Sequence, residues 1–260
     1  MHYKGKTALI TGASSGIGLA YAKEFARRGA NLVLVARRVE LLDKAAAELV
    51  KAHGVGVTTI ALDLSVPAAA QKLIDELKSQ KIGPDFVINN AGFGTSGRAK
   101  NEDRRRVSQE IQLNVGTLVD LTLAYLPELL TKDHGAIVNI ASTAAYQPVP
   151  GMAVYAATKA FVLSFTSAVW GETNHTNVRI LAVSPGATET EFFDVAGAKP
   201  SGALAPVSQV IDATFKALDA KKSVPSVVAG GRNRAMAGVS KRLPAQTVIK
   251  VAAGMFLPKE

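Results

Sequence analysis

The sequence predicts an α/β fold, a doubly wound parallel sheet of about seven strands with helices on both faces. Two observations predict it. Short β-branched runs alternate with longer helical patterns along most of the chain, the pattern of successive β–α–β units. Most of these runs are continuously apolar rather than alternating, as parallel strands covered on both faces require. At 260 residues, the chain has the length of one such domain and can bury one large core.

The elements follow in order. Strands are expected at KTALIT (6–11), NLVLVA (31–36), VTTIAL (57–62), DFVINN (85–90), GAIVNIA (135–141) and VRILAVS (178–184), with SVVAG (226–230) as a seventh. Helical patterns separate them at 17–28, 40–52, 68–80, 103–130, 154–173 and 207–218. Asp63-Leu-Ser-Val-Pro67 supplies helix-start chemistry for the third helix, with Ser65 as N-cap. The uncharged run at 136–158 is long enough to span a bilayer. It contains Asn139, Gln147, two prolines and a glycine, and reads as a buried strand, a loop and a helix start. The expected organisation is one domain over 1–260, with a substrate lid near 189–206 and a basic C-terminal tail at 231–260.

Composition narrows the function. Hydrophobic residues make up 48% and charged residues 20%, ordinary globular values. The absence of cysteine excludes disulfides and thiolate metal sites. His2, His53, His134 and His175 are scattered without ligand spacing, so no metal is expected. The opening MHYKGKTALITG passes from charged residues into the first strand without a long apolar leader, and a cytoplasmic location is expected. The net charge of +9 is unevenly placed: residues 221–259 hold eight basic residues and no acidic one. No recognisable reading helix accompanies that charge, so no nucleic-acid partner is expected.

The first strand runs into Thr11-Gly-Ala-Ser-Ser-Gly-Ile-Gly18. Gly12, Gly16 and Gly18 allow a tight turn and let the backbone approach a pyrophosphate, while the following helix N-terminus offers free N–H groups to the anion. The second strand ends in Ala36-Arg37-Arg38. An acidic residue here would bind a ribose 2′-hydroxyl. Guanidinium groups suit a 2′-phosphate instead. NADP(H) is therefore the expected cofactor, with Arg37 the first choice for the phosphate.

Further along come Asn89-Asn-Ala-Gly92, Asn114, Ser142, Tyr155 and Lys159 within VYAATKA, and Pro185-Gly186. This ordered set resembles the short-chain dehydrogenase/reductase family over roughly residues 5–230. The resemblance implies a Rossmann-type fold, a nicotinamide cofactor and carbonyl/alcohol chemistry. It places Gly12, Ser14, Ser15, Gly16, Ile17 and Gly18 around the phosphates, and Arg37 and Arg38 at the position that selects NADP. Asp63 and Leu64 match the pair at adenine, and Asn90, Ala91 and Gly92 the segment under the adenosine ribose. Pro185, Gly186 and Thr188 match the loop at the nicotinamide end. The catalytic tetrad falls on Asn114, Ser142, Tyr155 and Lys159, the last two also contacting cofactor.

Residues i and i+4 share a helix face, so Tyr155 and Lys159 can address one site. A nearby ammonium is expected to lower the phenol pKa from about 10, making Tyr155 a general acid in reduction and a base in oxidation. By resemblance, Lys159 also holds the nicotinamide ribose, Ser142 the substrate oxygen, and Asn114 a water leading to Lys159. Phe93, Ala144, Val149, Met152, Phe192 and Val195 flank these positions and suggest an acyl, aromatic or steroid-like substrate. Two other readings use the same motifs: a catalytically idle NADP-binding regulator, and a nucleotide-sugar epimerase, for whose usual substrate domain the chain leaves little room. A homodimer is expected, then a tetramer, through the helices at 103–130 and 154–173. The basic tail, broken at Pro244, is expected to pack on the domain or a second subunit, and as a lesser alternative to touch a membrane surface or an acidic carrier.

Overall fold

The computed structural model describes residues 1–200, 202–240 and 242–257. Two basic residues of the tail, Lys241 and Lys259, lie outside the described residues. Among the described residues seven strands form one sheet: β1 (Thr7–Thr11), β2 (Asn31–Ala36), β3 (Val57–Ala61), β4 (Phe86–Asn89), β5 (Ala136–Ile140), β6 (Arg179–Ser184) and β7 (Ser226–Val228). Their order is β3-β2-β1-β4-β5-β6-β7, and every neighbouring pair is parallel. The strand order reverses between β1 and β4, which opens a crevice at their carboxyl ends.

The burial of the strands explains their apolar runs. One sheet face packs on α1 (Gly16–Arg27), α2 (Val39–His53) and α8 (Ser208–Leu218), where Tyr21, Phe25, Leu42 and Phe215 form the core with Ile10, Leu34 and Phe86. The other face packs on α3 (Ala69–Ser79), α5 (Leu118–Lys132) and α6 (Ala153–Thr173), through Leu73, Leu77, Leu121, Leu129 and Val169 against Leu9, Val35, Val87 and Ile137. Helices on both faces satisfy the two-sided apolarity of the strands.

Two local expectations change. Ser65 does not cap the third helix. Its N–H and hydroxyl both donate to Asp63 Oδ1 at 2.9 and 2.7 Å, and α3 starts after Ala68 in a left-handed conformation without a side-chain cap. The single helix expected at 103–130 is three pieces: α4 (Arg104–Ile111), a π-helical turn (Gln112–Thr117) and α5. The turn carries Asn114, and such wide turns frequently mark functional sites. Beyond the sheet, the chain forms α7 (Phe192–Ala196) within the insertion and α9 (Gly231–Ser240) and α10 (Ala245–Phe256) in the tail. The break between the last two falls at Pro244.

Candidate active site

A cavity of about 810 Å³ opens at the β1/β4 switch. Its floor at one end is the turn between β1 and α1. Gly12 and Gly16 adopt φ of +67° and +53°, open to glycine at little cost. A Cβ at Gly12 would lie 2.8 Å from Asn90 Nδ2, and one at Gly18 would collide with the Gly12 carbonyl oxygen. The turn is therefore a cradle that side chains would fill. Ser15 stands at the N-cap of α1 without capping it, and no acidic residue occupies the first turn. The N–H groups there remain available to an anion.

The expected cofactor residues converge on this space. Gly12, Ser14, Ser15, Gly16 and Ile17 line it, as do Arg37, Arg38, Asp63 and Leu64. Asn90, Ala91 and Gly92 form one wall, and Pro185, Gly186 and Thr188 another. Gly18 lies behind the lining rather than in it. Asn90 Nδ2 donates to the Thr11 and Gly12 carbonyls at 2.9 and 3.3 Å, tying the two sides of the crevice together. Arg38, rather than the favoured Arg37, reaches the turn between β1 and α1. Its Nη2 donates to Ser15 Oγ at 2.8 Å and Ser14 Oγ at 3.3 Å. The same guanidinium grips Glu191 in the insertion, and Ser15 Oγ also donates to Glu191 Oε2 at 3.0 Å.

At the other end Ser142, Tyr155 and Lys159 line the same cavity. Ser142 follows β5, where its hydroxyl accepts from Ala144 N at 3.1 Å. Tyr155 and Lys159 are successive turns of α6, and the Lys159 Nζ lies 5.8 Å from the Tyr155 ring centroid. Nζ donates to the Ile140 carbonyl at 2.7 Å. Asn114 sits behind the lining, 1% exposed. Its Nδ2 donates to the Phe93 carbonyl at 2.8 Å and to Thr158 Oγ1 at 3.1 Å, while Oδ1 accepts from Phe93 N at 3.2 Å. A Cβ at Gly92 would stand 2.8 Å from Asn114 Oδ1 and 3.4 Å from Lys159 Nζ, so glycine is what lets these groups approach.

The electrostatics correct one expectation. Tyr155 is not lowered. Burial pushes it up to about 12, and the hydrogen bond with Ser142 offsets only part of that. Burial also pushes Lys159 down to about 8. Desolvation decides the direction of both shifts, because burial disfavours whichever form is charged. Glu110, unremarked in the sequence, raises both values and is itself pushed up to about 7 by burial.

The tail supplies the remaining wall. Ala237, Val248 and Ala252 are buried against the domain, while Asn233, Met236, Met255 and Phe256 line the cavity. Phe256 packs with Val149, Met152, Tyr155 and Phe192. A Cβ at Gly151 would press on the Phe256 backbone at 2.7 Å, so α10 closes directly over that loop. The tail thus packs on the domain through an apolar stripe in which Val248, Ala252 and Phe256 recur at helical spacing.

Residues 6–200 match the family model for short chain dehydrogenase. The chain belongs to the short-chain dehydrogenase family. One relative, sulfoacetaldehyde reductase 2 of Chromohalobacter salexigens, is 41% identical over 71% of this chain and 73% of its own. A short-chain dehydrogenase from Sphingobium yanoikuyae, solved in complex with NADPH, superposes with a TM-score of 0.81 at 36% identity, covering 91% of this chain and 94% of that one. A 7β-hydroxysteroid dehydrogenase superposes with a TM-score of 0.85 at 28% identity, covering 96% and 98%. In this short-chain dehydrogenase the family match stops at residue 200, so α9 and α10, which complete the cavity, lie outside it.

Proposed function

We propose that this short-chain dehydrogenase interconverts a carbonyl and an alcohol with NADP(H), acting on an apolar substrate, with Tyr155 as general acid and base. The observation that carries the reading is one continuous cavity. It presents Ser142, Tyr155 and Lys159 at one end and an arginine-flanked phosphate cradle at the other. The cradle fits a pyrophosphate, and Arg37 and Arg38 fit a 2′-phosphate. NADPH binding by the Sphingobium protein supports the same cofactor here.

When bound, NADPH supplies the hydride. Tyr155 donates its phenolic proton to the substrate oxygen as that oxygen becomes an alkoxide. Ser142 holds the same oxygen and keeps it within reach of Tyr155. Lys159, with a pKa of about 8, is mostly ammonium at neutral pH and supplies positive charge beside the phenol as its proton leaves. Asn114 fixes the Phe93 backbone and, through Thr158, the turn of α6 that carries Lys159.

The wall opposite Tyr155 favours a bulky apolar carbonyl. Val149, Met152, Phe192 and Phe256 surround the phenol, a lining closer in character to what a hydroxysteroid dehydrogenase needs than to a site for a small sulfonated aldehyde. Insertion 189–206 serves as the lid and the tail as a fixed wall. Pairing of subunits through α4, α5 and α6 accounts for the exposure of Ile111, Leu123 and Phe161, since unpartnered apolar side chains on long helices mark an interface. A cytoplasmic location accords with the family chemistry.

The test is a panel of aliphatic, aromatic and steroid ketones with NADPH, followed by nicotinamide absorbance. Turnover of a bulky ketone above that of short aldehydes is expected. Tight NADPH binding with no turnover of any carbonyl would sink the enzymatic reading and leave an idle binding protein.

A further inference from the structure

Glu110 is the one acidic residue among the described residues that is completely buried, at 0% exposure. It lies on α4 one helical turn before Asn114, so the two side chains share a face. Asn114 clasps Phe93 through both its N–H and its carbonyl. Glu110 Oε2 accepts from Thr95 N at 2.9 Å. Together they fix both ends of the segment 93–95. Gly94, in the middle, presses its backbone on the catalytic phenol: a Cβ there would be 3.0 Å from Tyr155 Cδ2. The Thr95 side chain adds a second interaction with the same carboxylate. A loop clamp needs one acceptor atom, which an amide or hydroxyl could provide without the cost of burying an ionisable group. An ionisable group buried where a neutral acceptor would serve is the sign of a second role.

We propose that Glu110 is a positioning residue of the reaction: it fixes segment 93–95 under Tyr155 through Thr95, and its negative charge holds the protons of Tyr155 and Lys159 in the state that carbonyl reduction requires. The inference rests on the reading of Tyr155 as proton donor. The charged and titratable groups electrostatically linked to Glu110 are Tyr155 and Lys159 from α6 and Glu102 from the segment before α4, and Thr95 N is its hydrogen-bond donor. Ionised Glu110 makes loss of a proton harder at both Tyr155 and Lys159. Reduction needs that pair of protons, a phenol to donate and an ammonium beside it. Because burial lifts Glu110 to about 7, its charge develops as pH passes neutrality, where Lys159 would otherwise begin to lose its own.

The experiment is the pH profile of reductive kcat for Glu110→Gln and Glu110→Met, alongside the NADPH affinity of each. Glutamine keeps an acceptor for Thr95 and removes the charge. Below neutrality Glu110→Gln should match the wild type. Above it, the alkaline limb should move down by about one pH unit, with NADPH affinity unchanged. Glu110→Met should show the same displaced limb together with a lower kcat at every pH, because Thr95 N is left unpaired. A merely structural Glu110 changes the height of the profile and not its shape, so an undisplaced limb in Glu110→Gln overturns the proposal. If glutamine fails to fold, the methionine profile decides by the same criterion. Tyr155→Phe that still turns over would instead overturn the reading of the donor, and the two failures are distinguishable.

Discussion

Arg38 holds Glu191 in a two-point grip, Nη2 to Oε2 at 2.7 Å and Nη1 to Oε1 at 3.2 Å. The pair joins the end of β2 to the insertion across the cavity mouth. Both side chains are about half exposed, so the pair contributes at most about 1 kcal/mol. A 2′-phosphate would compete with that carboxylate for the same guanidinium. Glu191→Gln should therefore tighten NADPH by up to about fivefold and leave NADH unchanged. Titration of nicotinamide fluorescence measures both. Weaker NADPH binding would mean that Glu191 straps the cofactor in rather than competing with it.

Cofactor choice should follow the arginines. Arg38→Ala should weaken NADPH about tenfold or more while sparing NADH, as loss of a charge-assisted hydrogen bond implies. Arg37→Asp should move the preference further toward NADH by adding repulsion. Equal kcat/KM values for the two cofactors in the unmodified protein would remove the basis of both expectations.

Proton transfer should depend on one oxygen. Tyr155→Phe is expected to lose roughly 10²–10⁴-fold in kcat with NADPH binding intact, because the ring keeps its packing against Phe192. Activity within a few-fold of the unmodified protein would exclude the assignment. Lys159→Ala should impair turnover and cofactor binding together, since its Nζ sits inside the lining on the Ile140 carbonyl.

Stability should carry the mark of Glu110. Its folded value of about 7 lies above the ordinary 4.5. Between those values the folded protein keeps a proton that the unfolded chain has released, so stability falls as pH rises through that window. The span corresponds to about 3 kcal/mol. Denaturant melts of the unmodified protein and Glu110→Gln between pH 4.5 and 7.5 should show the slope in the first and its loss in the second.

Assembly should fail when the outer face of α6 is charged. Phe161 is 42% exposed and stacks on Phe165. Phe161→Glu is expected to give monomers in sedimentation velocity at micromolar concentration. A monomeric unmodified protein would dispose of the pairing altogether.

Much of this was legible in the sequence. The central strands are legible because they are buried on both faces, and a run such as Leu32–Ala36 has no polar position to confuse it. The phosphate turn and the Tyr155–Lys159 pair stood out because glycine and the i+4 spacing are local signals. What escaped depended on folding partners. Glu110 follows Arg104-Arg-Arg106 in a strongly polar stretch, yet it is fully buried and accepts from Thr95 N. Glu191 acquires its meaning only from Arg38, 153 residues away. The raised phenol value escapes the motif, which displays the ammonium and not the burial that dominates.

The centre of the sheet is a narrow join. β1 meets β4 over three residue pairs, reinforced where Thr7 N donates to Asp85, 78 residues distant, and where Asn90 reaches back to Thr11 and Gly12. On one side lie β1 to β3 with the phosphate turn; on the other lie β4 to β7 with Ser142, Tyr155 and Lys159. The cores on both faces run across that join, as do Tyr21 to Thr214 and Arg28 to Asp219, and a dinucleotide laid along the cavity would bridge it once more at the carboxyl edge of the sheet. A cofactor that binds only the folded chain would add to that cohesion as its concentration rises, so its chemistry and the persistence of the fold are linked.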